Sequence, residues 1–179
     1  EVVGHDGGTR LGRIAALDEQ SMVIEVLQST AGLGLQGTRV RLRPEPLLFG
    51  VGPNLLGRIF DSVGRPIDGG PPVSARARMR IEGLAINPSW RALPRDFIET
   101  GMSAIDLLNS LVRGQKLPLF SAGGLPHDRI ATEIAQRARL RGGASSDFAV
   151  VFAGMGVPHD TAEQFRLAME SSGALGHTV

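Results

Sequence analysis

Alternation of apolar and polar residues characterises the first third of the chain. Residues 38–43 place apolar side chains on one face and arginines on the other, which is the period of a β-strand. Residues 9–14 and 21–27 are further short apolar segments, and glycine-rich turns separate all three. Such close spacing is typical of a small barrel or meander. We therefore predict a small β-barrel domain over residues 1–54.

Glycine and proline punctuate residues 55–94, which we predict to be a connector. Within it, residues 56–60 have the pattern of a strand and residues 63–66 that of a turn. Residues 68–72 have the composition of a linker without regular structure.

Beyond residue 95 the apolar period changes. The pattern predicts helices over 103–113, 127–141 and 160–172, and strands over 116–120, 148–152 and 175–179. The run at 148–152 is continuously apolar, as in a strand that a parallel sheet buries on both faces. This alternation predicts the first half of an α/β domain with a parallel sheet over residues 95–179. Ser103 followed by Asp106 resembles a capping box at the start of the first helix.

The segment 118–130 has the layout of a phosphate-binding loop, in which an apolar strand enters a glycine-containing turn and a helix follows at once. The working pattern is G-x-x-x-x-G-K-[ST]. Laid on it, Ser121 takes the first glycine position and Pro126 the last, while His127 takes the lysine position and Asp128 the hydroxyl position. We define the degenerate loop by six residues: Ser121, Gly123, Gly124, Pro126, His127 and Asp128.

Each replacement in the degenerate loop acts against a phosphate. Proline has no N–H to donate, and histidine is mostly neutral near pH 7. Asp128 adds a negative charge, although an aspartate there can serve as the N-cap of the following helix. Lys116 is the only lysine, and it lies at the start of the predicted strand, before the loop. We therefore expect no catalytic residue in this chain, and no confident nucleotide contact.

The composition is that of a globular protein, with 42% hydrophobic and 21% charged residues. A formal net charge of +1 gives no reason to expect a nucleic-acid partner. The chain has no cysteine, and its 4 histidines lack ligand-like spacing, so we expect no metal site. No apolar run approaches the roughly 20 residues that span a bilayer.

Several motifs, in order, resemble the head subunits of rotary ATPases. Residues 56–72 are similar to the connector of those subunits, and residues 100–106 to their T-G-x-x-x-I-D helix start. The discriminating stretch is 114–128, which resembles the non-catalytic, regulatory B subunit of the V/A-type enzymes, where the phosphate loop is degenerate. Residues 83–88 and 148–156 also match that branch.

The resemblance implies a P-loop-NTPase-like parallel sheet behind the β-barrel. It also implies that the first barrel strand and the later sheet strands lie outside this chain, as in a fragment truncated at both ends. The implied function is that of a non-catalytic subunit that alternates with catalytic A subunits in a hexameric ring and contacts central and peripheral stalk subunits. The ring is peripheral, at the cytoplasmic face of a membrane, and couples ATP synthesis or hydrolysis to proton or sodium transport.

In this family ATP or ADP with magnesium lies at the interface with the catalytic A subunits, so we expect the chain alone to bind no cofactor. Two other functions remain open at the level of sequence. One is an active P-loop NTPase whose lysine comes from a partner. The other is an interaction module that binds through an open barrel edge.

Overall fold

The computed structural model describes residues 1–83, 85–142 and 148–179. Leu84, in the motif at 83–88, lies outside the described residues. The chain divides into two compact units. Unit 1 comprises Glu1–Gly52 and Ile59–Leu84, and unit 2 comprises Pro53–Arg58 and Ala85–Val179. The segment predicted as a connector is thus shared between the two units.

Short antiparallel strands build unit 1. They are β1 (Val2–Val3), β2 (Thr9–Arg10), β3 (Gly12–Leu17), β4 (Met22–Val26), β5 (Arg39–Val40), β6 (Leu48–Val51) and β7 (Ala77–Arg80). One sheet has the order β2-β1-β5, and two antiparallel pairs, β3-β4 and β6-β7, form separate two-stranded sheets. The β3-β4 register shifts between Ile14 and Ala16, which is the signature of a bulge.

The strands predicted at 9–14 and 21–27 are confirmed by β2, β3 and β4. The strand predicted over 38–43 is shorter, because only Arg39 and Val40 pair with β1. Beyond them, Arg41 exchanges hydrogen bonds with the backbone of Glu1 at 2.9 and 2.8 Å. Leu42, the next residue, does not pair in the strand, and its side chain is 66% exposed.

The strand predicted at 56–60 is wrong. A 3-10 helix at Pro53–Leu55 precedes it, and Phe60 forms an isolated bridge with Pro66. The turn predicted at 63–66 is confirmed, because the Asp61 carboxylate accepts the N–H groups of Val63 and Arg65 at 3.0 and 2.8 Å.

Arg10 joins two loops of unit 1, the one between β1 and β2 and the one between β4 and β5. Its side chain is only 13% exposed and donates to the carbonyls of Gly8 and Ser29 at 2.9 Å each, and to that of Ala31. Its guanidinium also bonds Asp6 and holds the pKa of that carboxyl below its ordinary value. Because five N–H donors sit in one rigid fork, arginine can satisfy several carbonyls at once.

Gly64 lies in the 63–66 turn with a φ of 80°, a conformation that side-chain-bearing residues rarely adopt. A Cβ at this position would overlap the ring of Phe49. That ring packs edge-to-face on Phe60, with 5.8 Å between the ring centroids. Gly64 therefore serves both the turn and the aromatic packing of unit 1.

Unit 2 contains three helices and a small sheet among its described residues. The elements are β8 (Phe97–Glu99), α1 (Ser103–Leu108), β9 (Leu111–Val112), α2 (His127–Arg137), β10 (Arg139–Leu140) and α3 (His159–Ser172). The sheet has the order β10-β8-β9, and both pairings are antiparallel. Further 3-10 helices lie at Pro88–Trp90 and Ala174–His177.

Strand pairing shortens two of the predicted helices. The helix predicted over 103–113 ends at Leu108, because Leu111 and Val112 pair with β8 instead. The helix predicted over 127–141 ends at Arg137, because Arg139 and Leu140 pair with the other edge of β8. The strand predicted at 116–120 is absent from the described structure, where this segment has no strand pairing.

The strands predicted at 148–152 and 175–179 are replaced by an isolated parallel bridge between Val150 and Thr178, and the second prediction is wrong because a 3-10 helix occupies Ala174–His177. The Val150 N–H donates to His177 O at 2.9 Å, and the Val179 N–H donates back to Val150 O at 2.9 Å. The Phe152 N–H continues the ladder to Val179 O at 2.8 Å. The pairing is short, and Val151 is 78% exposed rather than buried on both faces.

Helix α3 packs on this parallel pair. Phe152 and Phe165 lie with 4.4 Å between their ring centroids, and Phe165 and Met169 are buried. Gly173 ends the helix in the left-handed conformation, with a φ of 74°, as expected for a C-terminal glycine. This contact is the core of unit 2.

The Asp106 carboxylate joins β8 to the start of α1. One oxygen accepts the N–H and the hydroxyl of Thr100 at 2.9 and 2.8 Å, and the other accepts the Gly101 N–H at 3.1 Å. Thr100 is completely buried. The predicted capping box is therefore corrected, since Asp106 reaches back to Thr100 and the N-cap residue is Met102, not Ser103.

Replacing Gly64 by Ala tests the aromatic packing, with Gly69→Ala as the matched control. Both glycines have positive φ, 80° and 75°, but no atom lies within 4 Å of a Cβ at Gly69. We expect each variant to lose about 1–2 kcal/mol from the left-handed backbone alone. Gly64→Ala loses about 1–3 kcal/mol more through overlap with Phe49. Urea unfolding measures both, and equal losses would show that the overlap is relieved without cost.

The acid sensitivity of unit 2 tests the Asp106 contacts. Donation from the Thr100 N–H and hydroxyl holds the pKa of Asp106 below its ordinary value. Its contribution to stability is therefore present above the ordinary value of about 4, and is lost as the pH falls through the folded value. We expect the wild type to lose stability between about pH 5 and pH 3 more steeply than Asp106→Asn.

Thr100→Val is the intermediate case, because it removes one donor and keeps the shape. Its acid transition should lie between those of the wild type and Asp106→Asn. Thermal unfolding followed by circular dichroism at each pH gives the comparison. Three parallel pH profiles would contradict the role assigned to Asp106.

Candidate functional site

The degenerate loop forms a tight turn that leads into α2. The Leu125 N–H donates to Ala122 O at 3.3 Å, and the His127 N–H donates to Leu125 O at 2.9 Å. Gly124 has a φ of 87°, which accounts for a glycine there. Pro126 is the N-cap residue, and the helix begins at His127.

His127 contacts both of its polar neighbours in the loop. Its Nδ1 lies 2.8 Å from Ser121 Oγ, and its Nε2 lies 3.5 Å from Asp128 Oδ1. The imidazole and carboxylate side chains are each about half exposed, at 51% and 48%. At the position where a working loop has lysine, this chain therefore has the His127 imidazole, which contacts other side chains of the loop.

Asp128 does not have the N-cap role that the sequence predicted. The N-cap is Pro126, which has no side chain to accept a hydrogen bond, and Asp128 lies in the first turn of α2. A carboxylate in the first turn still interacts favourably with the helix dipole. Asp128 therefore supplies, from within the chain, the negative charge that this end of the helix favours.

Backbone donors for a phosphate are few at this turn. Pro126 has none, and the N–H groups of Leu125 and His127 are used within the turn. Gly123 and Gly124 leave open space, since a Cβ at either would meet no atom within 4 Å. The backbone of the turn is therefore as accessible as that of a phosphate-binding loop. The turn lacks the lysine cation, the hydroxyl at the last motif position and some of the free backbone N–H groups of such a loop.

The sequence did not predict two contacts of this region. Ser121 and His127 are six positions apart, and only the tight turn brings them together. Gln136 Nε2 donates to Ala168 O at 2.7 Å and so joins α2 to α3. Neither contact follows an apolar period, so no pattern in the sequence signals it.

The described part of the chain contains no group of three or more acidic or histidine side chains arranged to hold a metal ion. Within the same residues, no helix has the length and hydropathy that crossing a bilayer requires. All six residues of the degenerate loop lie at or beside the N-terminus of α2, as predicted. That these residues make no confident nucleotide contact remains a prediction.

Part of unit 2 matches a known family model. Residues 101–179 match the family model described as "ATP synthase alpha/beta family, nucleotide-binding domain". The predicted resemblance to the head subunits of rotary ATPases is thereby confirmed for this part of the chain.

The particular relatives are B subunits or beta chains. The chain is 49% identical over 179 residues to the B subunit of the A-type ATP synthase of Staphylothermus marinus, covering 100% of this chain and 38% of the relative. It is 46% identical over 179 residues to the V-type ATP synthase beta chain of Halothermothrix orenii, again covering 100% and 38%. For B subunit 1 of the A-type ATP synthase of Methanospirillum hungatei the identity is 45% over 174 residues, covering 97% and 37%.

The similarity to these B subunits therefore extends through both units and confirms the branch indicated by residues 114–128. The chain spans little more than a third of the length of these relatives, 38% for the first two.

Restoring the phosphate-loop residues tests which groups limit nucleotide binding. We expect the wild-type chain to show no micromolar affinity for Mg-ATP by calorimetry. The variant with Ser121→Gly, Pro126→Gly, His127→Lys and Asp128→Thr should bind at least ~10-fold more tightly, because it regains a charged donor and backbone N–H groups.

The matched control carries the same changes except His127→Lys. It separates the lysine charge from the opening of the backbone, and we expect it to recover the smaller share of the affinity. Micromolar binding by the unaltered chain would contradict the assignment of the loop as degenerate.

Proposed function

We propose that this chain acts as part of a non-catalytic, regulatory B subunit of a V/A-type rotary ATPase or ATP synthase. The single observation that carries the proposal is the geometry at the start of α2. Where a catalytic subunit would hold lysine and a hydroxyl, His127 contacts Ser121 and Asp128. Phosphoryl transfer depends on positioning and charge neutralisation, and the degenerate loop supplies neither.

The proposal includes the architecture of the complete protein. We interpret the small sheets of unit 1 as part of a β-barrel, because their strands are short, antiparallel and separated by glycine turns. We interpret unit 2 as the first half of a P-loop-NTPase-like domain. The parallel ladder between Val150 and Thr178, packed under α3, supports that interpretation.

The proposed partners are catalytic A subunits in an alternating hexamer, together with central and peripheral stalk subunits. ATP or ADP with magnesium would lie at the interface with the A subunits, whose loop would supply the lysine. The head would be peripheral, at the cytoplasmic face of a membrane, and would couple ATP synthesis or hydrolysis to proton or sodium transport. Similarity to proteins named as the B subunit or beta chain of A-type and V-type ATP synthases supports this assignment.

A chimera tests the function. The 179 residues replace the aligned segment of a complete relative's B subunit, and the chimera is assembled with that relative's A subunits. We expect a head complex that hydrolyses ATP, because the chemistry resides in the A subunits. His127→Ala and Asp128→Ala in the chimera should leave the turnover number within about 2-fold, since neither residue would neutralise phosphate charge.

The matched control is alanine at the phosphate-loop lysine of the A subunits in the same assembly. It should abolish turnover. A chimera that assembles but loses most of its activity on His127→Ala would overturn the non-catalytic assignment. Failure to assemble with the A subunits would overturn the proposal as a whole.

A further inference from the structure

A cleft of about 790 Å³ lies in unit 2, at the opposite end of α2 from the degenerate loop. Residues from β8, α1, β10 and the end of α2 line it. Three arginines contribute to the lining, and we call the site the arginine cleft, defined by Arg137, Arg139 and Arg141. Since α2 has 11 residues, its two ends are roughly 16 Å apart.

Strand geometry brings two of these arginines to one face. Arg139 pairs with Glu99 across the β10-β8 ladder, and the Arg141 N–H donates to Phe97 O at 3.1 Å. Alternate residues of a strand point to the same side of a sheet. Arg139 and Arg141 therefore flank the cleft together, and Leu140 lies on the other face.

Among the described residues, the lining of the cleft contains three arginines and two carboxylates, those of Glu99 and Asp106. Arg139 Nε donates to Glu99 Oε2 at 2.7 Å. Arg141 forms no ion pair with any residue in the described ranges 1–83, 85–142 and 148–179. Glu99 thus neutralises one arginine of the cleft at most.

Arg137 also shares its partner. Its Nη1 lies 3.6 Å from Glu133 Oε2, while Glu133 Oε1 accepts from Arg129 Nε at 3.0 Å. The stem of Arg137 covers Gly101, where a Cβ would lie 3.1 Å from Arg137 Cδ. This packing fixes the direction of the side chain beside the cleft.

The remaining acid of the cleft, Asp106, forms no ion pair or hydrogen bond with an arginine in the described part of the chain. Asp106 directs both carboxylate oxygens at Thr100 and Gly101, which supply three donors within 3.1 Å. Asp106 keeps its negative charge, because neutral donors do not cancel it. The described lining therefore holds three arginines against two carboxylates, Glu99 and Asp106, and an excess of one positive charge remains for a ligand.

We propose that the arginine cleft binds a phosphate group, whether a free phosphate or one carried by a nucleotide. Guanidinium groups present planar pairs of donors that match phosphate oxygens bidentately. The volume of the cleft falls in the range of small-molecule sites, about 300–1,000 Å³. This site goes beyond the proposed function, because it lies apart from the degenerate loop and its binding does not depend on the A subunits.

Equilibrium dialysis of the 179-residue chain against labelled pyrophosphate at low salt tests the site. We expect saturable binding with one site per chain, weakened at least ~10-fold in Arg141→Ala, because a hydrogen-bonded charge pair contributes that much. Arg141→Lys should recover part of the affinity. Arg65→Ala, which removes the same charge from unit 1, is the control and should leave binding unchanged.

Glu99→Gln distinguishes a specific loss of binding from a loss caused by misfolding. It frees Arg139, so we expect tighter binding, a change that an unfolded protein does not produce. Inorganic phosphate and magnesium-free ADP are two further ligands in the same measurement. If ADP binds more tightly than pyrophosphate, the phosphate group belongs to a nucleotide. If ADP binds equally or more weakly, the ligand is a free phosphate. Non-saturable binding, or an equal loss in Arg65→Ala and Arg141→Ala, would overturn the proposal.

Discussion

The hydrogen bonds between Asp106 and the Thr100–Gly101 backbone are the constraint on which unit 2 depends. They fix where β8 ends and where α1 begins, and they bury Thr100 completely. Gly101 in turn receives the stem of Arg137, so the same corner sets the C-terminal end of α2. A single carboxylate thus links the T-G-x-x-x-I-D motif to the helix that carries the degenerate loop.

Local chemistry in the sequence predicted the elements that depend on it. The Asp61 turn and the glycine stop of α3 at Gly173 are confirmed, because each is decided by residues a few positions apart. The errors arise where a more distant strand competes. Leu111 and Arg139 lie in good helical patterns, yet β8 pairs with both segments, and no sequence period reveals that competition.

The candidate site, too, was predictable from the sequence in part only. The replacements at Pro126 and His127 can be recognised from the sequence, because each position of the phosphate-loop motif has a known chemical role. The hydrogen bond between Ser121 and His127 depends on the turn geometry, as does the loss of the N-cap role at Asp128. A template of residue types does not encode either feature.

Helix α2 therefore has two ends with opposite chemistry. At its N-terminus, where a helix ordinarily attracts anions, the side chain of His127 lies 3.5 Å from that of Asp128 and also contacts Ser121. At its C-terminus, Arg137 and the following arginines offset the negative end of the dipole and leave surplus charge facing a cleft. The packing of α2 on α3 through Gln136 then holds both ends in a fixed relation.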